Sequence, residues 1–125
     1  MLSNDPVFPT VPTTNVKKAK VFYRNKLGLK LIYEEDDGLL FEAGKKSRIY
    51  VYKRPPSSAE HTLAAFYVDN IHKTVDELTK KGVEFEKYNE GSIKTDEKGI
   101  AKKGKLKAAW FKDPDGNIIG LSQVK

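Results

Sequence analysis

The sequence contains no cysteine, and this absence excludes a set of chemistries at once. Without thiols the 125-residue chain forms no disulfides, has no thiolate nucleophile and offers zinc no sulfur ligand. Arginine is scarce as well: the formal net charge is +6, yet Arg24, Arg48 and Arg54 are the only arginines. Because arginine reads phosphates and bases better than lysine does, we expect a lysine-rich soluble surface, and nucleic acid is not an expected partner.

Long hydrophobic runs are also missing. No apolar segment approaches the roughly 20 residues that a membrane-spanning helix requires. The first residues, Met1 to Pro6, lack the basic and then apolar order of a secretory signal. We therefore expect a cytoplasmic protein with no membrane partner. Its 38% hydrophobic residues suffice for one packed core, whereas half of the chain would bury too little surface to be stable alone.

What the sequence does contain is a repeat. An asparagine opens a helical pattern at Asn15 and again at Asn70, and a glycine ends each pattern, at Gly28 and at Gly82. The two asparagines are 55 positions apart and the two glycines 54, so the copies match within one residue. Asparagine is a favourable N-cap and glycine a favourable C-cap. Each copy therefore predicts one helix.

Short β-prone runs flank both helices. In the first copy they predict strands over 7–12, 29–35, 39–43 and 48–53. In the second copy they predict strands over 62–68, 83–88, 106–112 and 117–124, the last two joined by the turn 113–116. A Pro/Ser-rich linker, 54–60, separates the copies, and the polar segment 89–105 could be either an ordered lid or a mobile loop.

The order of elements is thus strand, helix, three strands, repeated once. This order predicts an α+β fold in which two tandem βαβββ modules form a curved mixed sheet. With the helices on one side, the concave side of such a sheet is free to hold a ligand.

Three motifs resemble the vicinal oxygen chelate superfamily, which includes glyoxalase I, extradiol dioxygenases and bleomycin-binding proteins. Residues 22–29, Phe-Tyr-Arg-Asn-Lys-Leu-Gly-Leu, resemble its FYxxxLGL signature. Residues 66–71 resemble its mid-chain entry from strand to helix, and residues 110–117, which contain Asp-Pro-Asp-Gly-Asn, resemble its closing hairpin. The resemblance implies one glyoxalase-like domain over 1–125 that forms a homodimer.

Within that domain, module one covers about 6–53, the linker covers 54–60 and module two covers about 61–125. Enzymes of the superfamily bind a divalent metal through His, Glu or Gln side chains from four strands. The corresponding positions in this chain hold Phe8, Tyr50, Leu63 and Gly120. These residues cannot build the usual site, so the resemblance implies no metal ligands and no cofactor.

Two residues are weak catalytic candidates. His61 lies two positions before Leu63, on the same side of the predicted strand. A lone histidine at the start of a strand more often has a surface or structural role, yet it could serve as a ligand contact or a general acid or base. Glu42, on a predicted strand, is the other candidate.

An aromatic and apolar set takes the place of the metal ligands. The candidate ligand-binding residues are Phe8, Tyr50, Tyr52, His61, Leu63 and Trp110. Their rings either fill the space of a lost site or form a metal-free pocket for a planar or hydrophobic molecule. The charge of +6 favours a neutral or anionic aromatic ligand over a cationic drug of the bleomycin type.

We therefore expect a glyoxalase/bleomycin-resistance-like protein that lacks the usual metal ligands and binds a small organic molecule in an aromatic cup. Sequestration or sensing is favoured over turnover. The alternative is a metal-dependent lyase, isomerase or dioxygenase of the same superfamily.

Overall fold

Two mixed β-sheets, one in each half of the chain, form the framework of the protein. The structure is a computed structural model and describes residues 1–91 and 93–124. The chain divides by its internal contacts into a first unit, Met1–Ser57, and a second unit, Ser58–Lys125. Each unit carries one four-stranded sheet.

The first unit runs strand, helix, three strands. Its strands are β1 (Thr10–Thr13), β2 (Lys30–Glu35), β3 (Gly38–Glu42) and β4 (Arg48–Lys53). They lie in the order β1-β4-β3-β2, with β1 parallel to β4 and the other neighbours antiparallel. The parallel pair is possible because the helix and the β2–β3 hairpin intervene between its two strands in sequence.

The first helix begins and ends at the predicted residues. In α1 (Val16–Lys20) the side chain of Asn15 caps the helix by accepting a hydrogen bond from the Lys18 N–H, at 3.1 Å. The helix continues as a π-helical segment, Val21–Lys26, which the sequence does not predict. Gly28 then leaves the helix with φ of 74°, a conformation that favours glycine.

The helical segment covers one face of the first sheet. Tyr23 of the π-helical segment is buried and its ring lies 5.7 Å from that of Phe41 on β3, centroid to centroid. Leu39 on β3 and Ile49 and Val51 on β4 are buried as well. Because alternate residues of a strand point to opposite faces, the residues between them lie on the other face, which is free of the helix.

The second unit repeats this topology around α2 (Ile71–Lys80). Its sheet contains β5 (Thr62–Tyr67), β8 (Ala101–Lys103), β9 (Leu106–Lys112) and β10 (Ile118–Val124), in the order β5-β10-β9-β8. β5 is parallel to β10, and the other neighbours are antiparallel. The α+β class and the tandem βαβββ arrangement are therefore confirmed.

The second helix is capped as the first is. The side chain of Asn70 accepts a hydrogen bond from the Lys73 N–H at 3.1 Å, and Gly82 follows the helix with φ of 92°. The buried residues of the helix are Ile71 and Val75. No helix in the described part of the chain is long and apolar enough to cross a membrane.

Two predicted strands differ from the structure. The first starts at Thr10 instead of residue 7, although the carbonyl of Pro9 already accepts a 3.1 Å hydrogen bond from the Tyr50 N–H. The segment 83–88 is not a regular strand: it joins β9 through a bridge between Phe85 and Phe111 and a 2.8 Å hydrogen bond from the Glu86 N–H to the Trp110 carbonyl. The remainder of that edge of β9 is paired with β8.

The segment 89–105 contains ordered elements. β6 (Asn89–Glu90) and β7 (Ile93–Lys94) pair with each other, and β8 pairs with β9. The described residues of this segment thus form short paired strands.

The turn between β9 and β10 is built around Asp113, which is 6% exposed. Its Oδ1 accepts hydrogen bonds from the N–H groups of Asp115 and Asn117, each at 2.9 Å. Its Oδ2 accepts one from Asn117 Nδ2 at 2.8 Å. Gly116 has φ of 83°, so one carboxylate and one left-handed glycine define the turn.

We expect Asp113→Ala to lower the free energy of unfolding by about 2–3 kcal/mol, because the buried donors of Asn117 and the half-buried N–H of Asp115 would lose their acceptor. Urea unfolding followed by circular dichroism measures this change. Asp36→Ala, in the exposed turn between β2 and β3, is the control and should cost about 0.5 kcal/mol or less. Equal losses in the two variants would contradict the role of Asp113.

The carboxylate of Asp96 stabilises a second turn. Its Oδ1 accepts hydrogen bonds from the N–H groups of Lys98 and Ile100, each at 2.9 Å. Burial raises the pKa of Asp96, but the amides of Ile100 and Lys98, with the nearby His72, outweigh burial and lower the pKa overall. The Lys98 ammonium also lies 3.3 Å from the carboxylate of Asp76 on α2. The ionised form of Asp96 is therefore the one that the fold favours.

The lowered pKa of Asp96 makes its stabilising effect dependent on pH. The effect is complete above the ordinary pKa of 3.8 and is lost as the pH falls through the lowered value. We expect the protein to be more stable than Asp96→Asn at neutral pH, and the difference to shrink between about pH 4 and pH 2. Urea unfolding at several pH values tests this expectation.

The control for this experiment is Asp69→Asn, because Asp69 is exposed before α2. A stability difference for Asp96→Asn that does not change with pH, or that matches the control, would show that the charge of Asp96 does not stabilise the turn.

Candidate functional site

The helix-free face of the first sheet carries three tyrosines. Strand pairing aligns Tyr33 with Leu40 and Leu40 with Tyr50, and Tyr52 lies two residues further along β4. Glu35 lies two residues beyond Tyr33 on β2. Because these five residues share one face, we call them the tyrosine face.

Two rings of the tyrosine face are stacked. The planes of Tyr50 and Tyr52 differ by 6°, and their centroids are 6.2 Å apart, which is within the range of offset-stacked aromatic pairs. The phenol of Tyr50 lies over Gly38, where a side chain would overlap it. A glycine in this position of β3 therefore makes room for the stacked pair.

Glu35 joins two of the phenols. The Tyr33 hydroxyl donates to Oε2 at 3.2 Å, and the Tyr50 hydroxyl donates to Oε1 at 3.4 Å. Both distances are long for hydrogen bonds between oxygens, so each bond is weak. Burial and the adjacent Glu35 carboxylate raise the pKa of Tyr50, so its phenol is protonated and acts as a donor at neutral pH.

The second sheet presents a different aromatic group on its helix-free face. Trp110 on β9 opposes Gly120 on β10, and its ring lies edge-to-face against Tyr88 with centroids 5.5 Å apart. The neighbouring Phe111 points to the opposite face and is buried. Burial, followed by the nearby Glu86 carboxylate, raises the pKa of Tyr88. The half-buried indole of Trp110 thus packs edge-to-face against Tyr88, whose phenol is protonated.

The other predicted residues lie at or near the ends of strands in their own units. Phe8 is 43% exposed and precedes β1 by two residues, and His61 is exposed immediately before β5. Leu63 is half-buried in β5 at the irregularity where the register with β10 shifts. Glu42 on β3 is half-buried with its carboxylate 4.0 Å from the guanidinium of Arg48. Tyr50 and Tyr52 are the predicted residues that the first sheet brings into contact.

The residues at the four expected metal positions do not fit a divalent ion. Phe8, Leu63 and Gly120 have no donor atom in their side chains. The raised pKa of Tyr50, caused first by burial, disfavours the phenolate that a metal would bind. In the part of the chain that the structure describes, no three His, Asp or Glu side chains group to hold a metal ion. No reaction step is therefore assigned to a metal here.

The main feature of the site that the sequence does not predict is the position of Glu35 between two phenols. The sequence patterns do not identify Tyr33, Glu35 or Tyr88 as residues of the site. The alternation of Tyr33 with Glu35 on one strand and of Tyr50 with Tyr52 on another was the available signal. To place these two pairs on one face of the sheet, one must know the register of β2, β3 and β4, including the irregularity between Leu31 and Tyr33.

Each unit also has an open cleft. The cleft of the second unit, about 610 Å³, lies between α2 and residues 82–87 and includes none of the predicted ligand-binding residues. The cleft of the first unit, about 560 Å³, borders the start of α1 and includes Glu35. Glu35 is exposed, and its carboxylate is also bonded to the phenols.

The sequence from 7 to 121 matches the model of the Glyoxalase/Bleomycin resistance protein/Dioxygenase superfamily. No curated protein matches the sequence. Among solved structures it is similar to TnmS3, an antibiotic binding protein from Streptomyces sp. CB03234, with 22% identity, 100% and 99% of the two chains covered and a TM-score of 0.76.

Two further structures have the same fold. A glyoxalase family protein from Bacillus anthracis has 21% identity, 100% of both chains covered and a TM-score of 0.72. A lactoylglutathione lyase from Agrobacterium tumefaciens has 13% identity, with 97% of this chain and 95% of that chain covered and a TM-score of 0.73. At such identities the likeness shows the fold and does not distinguish a binding protein from a lyase.

We expect Gly38→Ala to displace the Tyr50 ring and break its stack on Tyr52, because the new Cβ would overlap the phenol. Gly120→Ala is the matched control, since its Cβ would meet its nearest neighbours at 3.4 to 3.6 Å. Two-dimensional NMR of the tyrosine ring protons measures the displacement. Unchanged Tyr50 and Tyr52 signals in Gly38→Ala would contradict the described packing.

Proposed function

The chain belongs to the Glyoxalase/Bleomycin resistance protein/Dioxygenase superfamily, and from this premise we propose that it binds a small aromatic molecule without a metal ion. The observation that carries the proposal is the stacked pair of Tyr50 and Tyr52 on the helix-free face of the first sheet. We propose these two residues as the main contacts. Phe8, His61, Leu63 and Trp110 are the further candidates from the sequence.

Stacked tyrosines suit a flat ligand. Tyr50 and Tyr52 are both half-buried, so each ring keeps a surface that a third ring could cover. Their parallel planes present aromatic faces in one orientation, and offset stacking contributes about 0.5–1.5 kcal/mol for each aromatic pair beyond the burial of area. Tyr33, which is 56% exposed, extends the same surface. A planar aromatic molecule could therefore contact several rings at once.

The available chemistry favours binding over turnover. The expected metal positions offer no ligand set, and Glu42 is engaged with Arg48 at 4.0 Å. His61 is exposed and lies in the second unit, with no carboxylate within ion-pair distance among the described residues. The tyrosine face can stack on a ligand and form hydrogen bonds with it, and these interactions suit sequestration or sensing. The description of TnmS3 as an antibiotic binding protein is consistent with such a role.

The proposal also includes two features expected from the sequence. These are a homodimer, implied by the resemblance, and a cytoplasmic location.

We expect planar aromatic compounds to bind and Tyr52→Ala to weaken their binding by about 3- to 10-fold, because one stacking partner is removed. Titration calorimetry with a panel of neutral fused-ring compounds measures the affinity. Tyr67→Ala is the matched control, because it removes an exposed tyrosine (75% exposed) on β5 that is not among the proposed contacts; its affinities should be unchanged.

Two results would overturn the proposal. The first is an equal loss of affinity in Tyr52→Ala and Tyr67→Ala, which would place the ligand elsewhere. The second is one metal ion per chain in protein purified without chelator, which would restore the metal-dependent enzyme as the better interpretation.

A further inference from the structure

We infer that the ligand of the tyrosine face carries a positively charged nitrogen: the geometry points to an aromatic ammonium compound whose ring lies on Tyr50 and Tyr52 and whose charge lies at Glu35. This inference rests on the proposed function and names the chemical class of its ligand.

No cationic side chain among the described residues forms an ion pair with Glu35. Its neighbour Glu34, on the opposite face of β2, is paired with the Lys20 ammonium at 3.0 Å, and Glu42 lies 4.0 Å from Arg48. Across residues 1–91 and 93–124, no lysine or arginine nitrogen lies within 4.0 Å of the Glu35 carboxylate. Of these three carboxylates, Glu35 is the one available to an external cation.

The hydrogen bonds at Glu35 all run in one direction, from phenol to carboxylate. A phenol has one proton to donate, and the protons of Tyr33 and Tyr50 both point to Glu35. The two phenol oxygens and the carboxylate therefore present only lone pairs to a ligand. Such a group matches N–H donors and repels carboxylates and phosphates.

The aromatic rings lie beside the carboxylate of Glu35. Tyr50 both stacks on Tyr52 and reaches Glu35 at 3.4 Å, so an aromatic surface and a negative charge adjoin. Tyrosine rings attract cations over their faces through the ring quadrupole. A compound with a ring and an ammonium group a few ångströms apart would satisfy both features, whereas a neutral aromatic would satisfy only one.

The lysines around the first-unit cleft do not cancel this preference. Lys17 and Lys53 line the cleft that includes Glu35, but Glu34 and Asp36 line it as well. Because Glu34 is paired with Lys20, Asp36 is the other acid that offsets these lysines. Among the described residues, neither Lys17 nor Lys53 lies within 4.0 Å of the Glu35 carboxylate. The attraction of more distant lysines is weakened by ionic screening, whose Debye length is about 8 Å at physiological ionic strength.

The test compares three probes of similar size: benzylammonium, benzyl alcohol and phenylacetate. We expect affinity to fall in that order. Glu35→Gln should weaken benzylammonium about tenfold, as is usual for a lost charged hydrogen-bond partner, and should leave benzyl alcohol within about twofold. Calorimetry or NMR titration of the full chain measures all three, and circular dichroism verifies that the variant is folded.

The matched control is Glu34→Gln, which makes the same change in net charge on the opposite face of β2. It should leave the affinity for benzylammonium unchanged. An equal effect of the two variants would show a response to net charge alone and would overturn the inference. Equal affinities of the cation and the alcohol would also overturn it, while the proposed function would stand. If none of the three probes binds, the inference fails, and the titrations with fused-ring compounds decide whether the proposed function stands.

Discussion

The alternation of side chains along the strands is the constraint on which the rest of the structure depends. On β4, Ile49 and Val51 are buried beneath the helical segment, so Tyr50 and Tyr52 must lie on the other face. A shift in register by one residue would exchange the two sets and place two phenols in the apolar core, where their hydroxyls would require partners. Burial on the helix side thus fixes the position of the aromatic rings on the free side. The candidate site is a consequence of the core.

The same topology supports different chemistry in the two units. In both, a parallel pair and two antiparallel pairs form a sheet with one covered face. On the free face of each sheet a glycine lies beside an aromatic ring, with Gly38 beneath Tyr50 and Gly120 opposite Trp110, but only at Gly38 would a Cβ overlap the ring. The first unit adds a carboxylate that accepts from two phenols, whereas in the second a phenol packs edge-to-face on the indole. Small residues beside large rings are the common feature, and the polar groups around them differ.

The predictable parts of the fold are those that local chemistry decides. Asn15 and Asn70 cap their helices because the side chain of an asparagine satisfies an amide three residues away, a relation visible in the sequence. The π-helical segment and the irregular segment 83–88 were not predicted, because both depend on tertiary packing. The candidate site divides in the same way. Tyr50 follows from the resemblance to the superfamily, in which its position holds a metal ligand, and Tyr52 lies two residues further on. The role of Glu35 depends on a strand register that no local pattern specifies.

Net charge and local charge lead to different expectations for the ligand, and distance decides between them. A formal charge of +6 describes the field far from the protein, which governs the rate at which ions approach. At contact, the energy of a bound charge depends on groups a few ångströms away, because screening and distance reduce the contribution of remote lysines. On the tyrosine face, those groups are a carboxylate without a cationic partner among the described residues and two phenols that donate to it. A protein that is basic in total can therefore offer a cation its most favourable contacts.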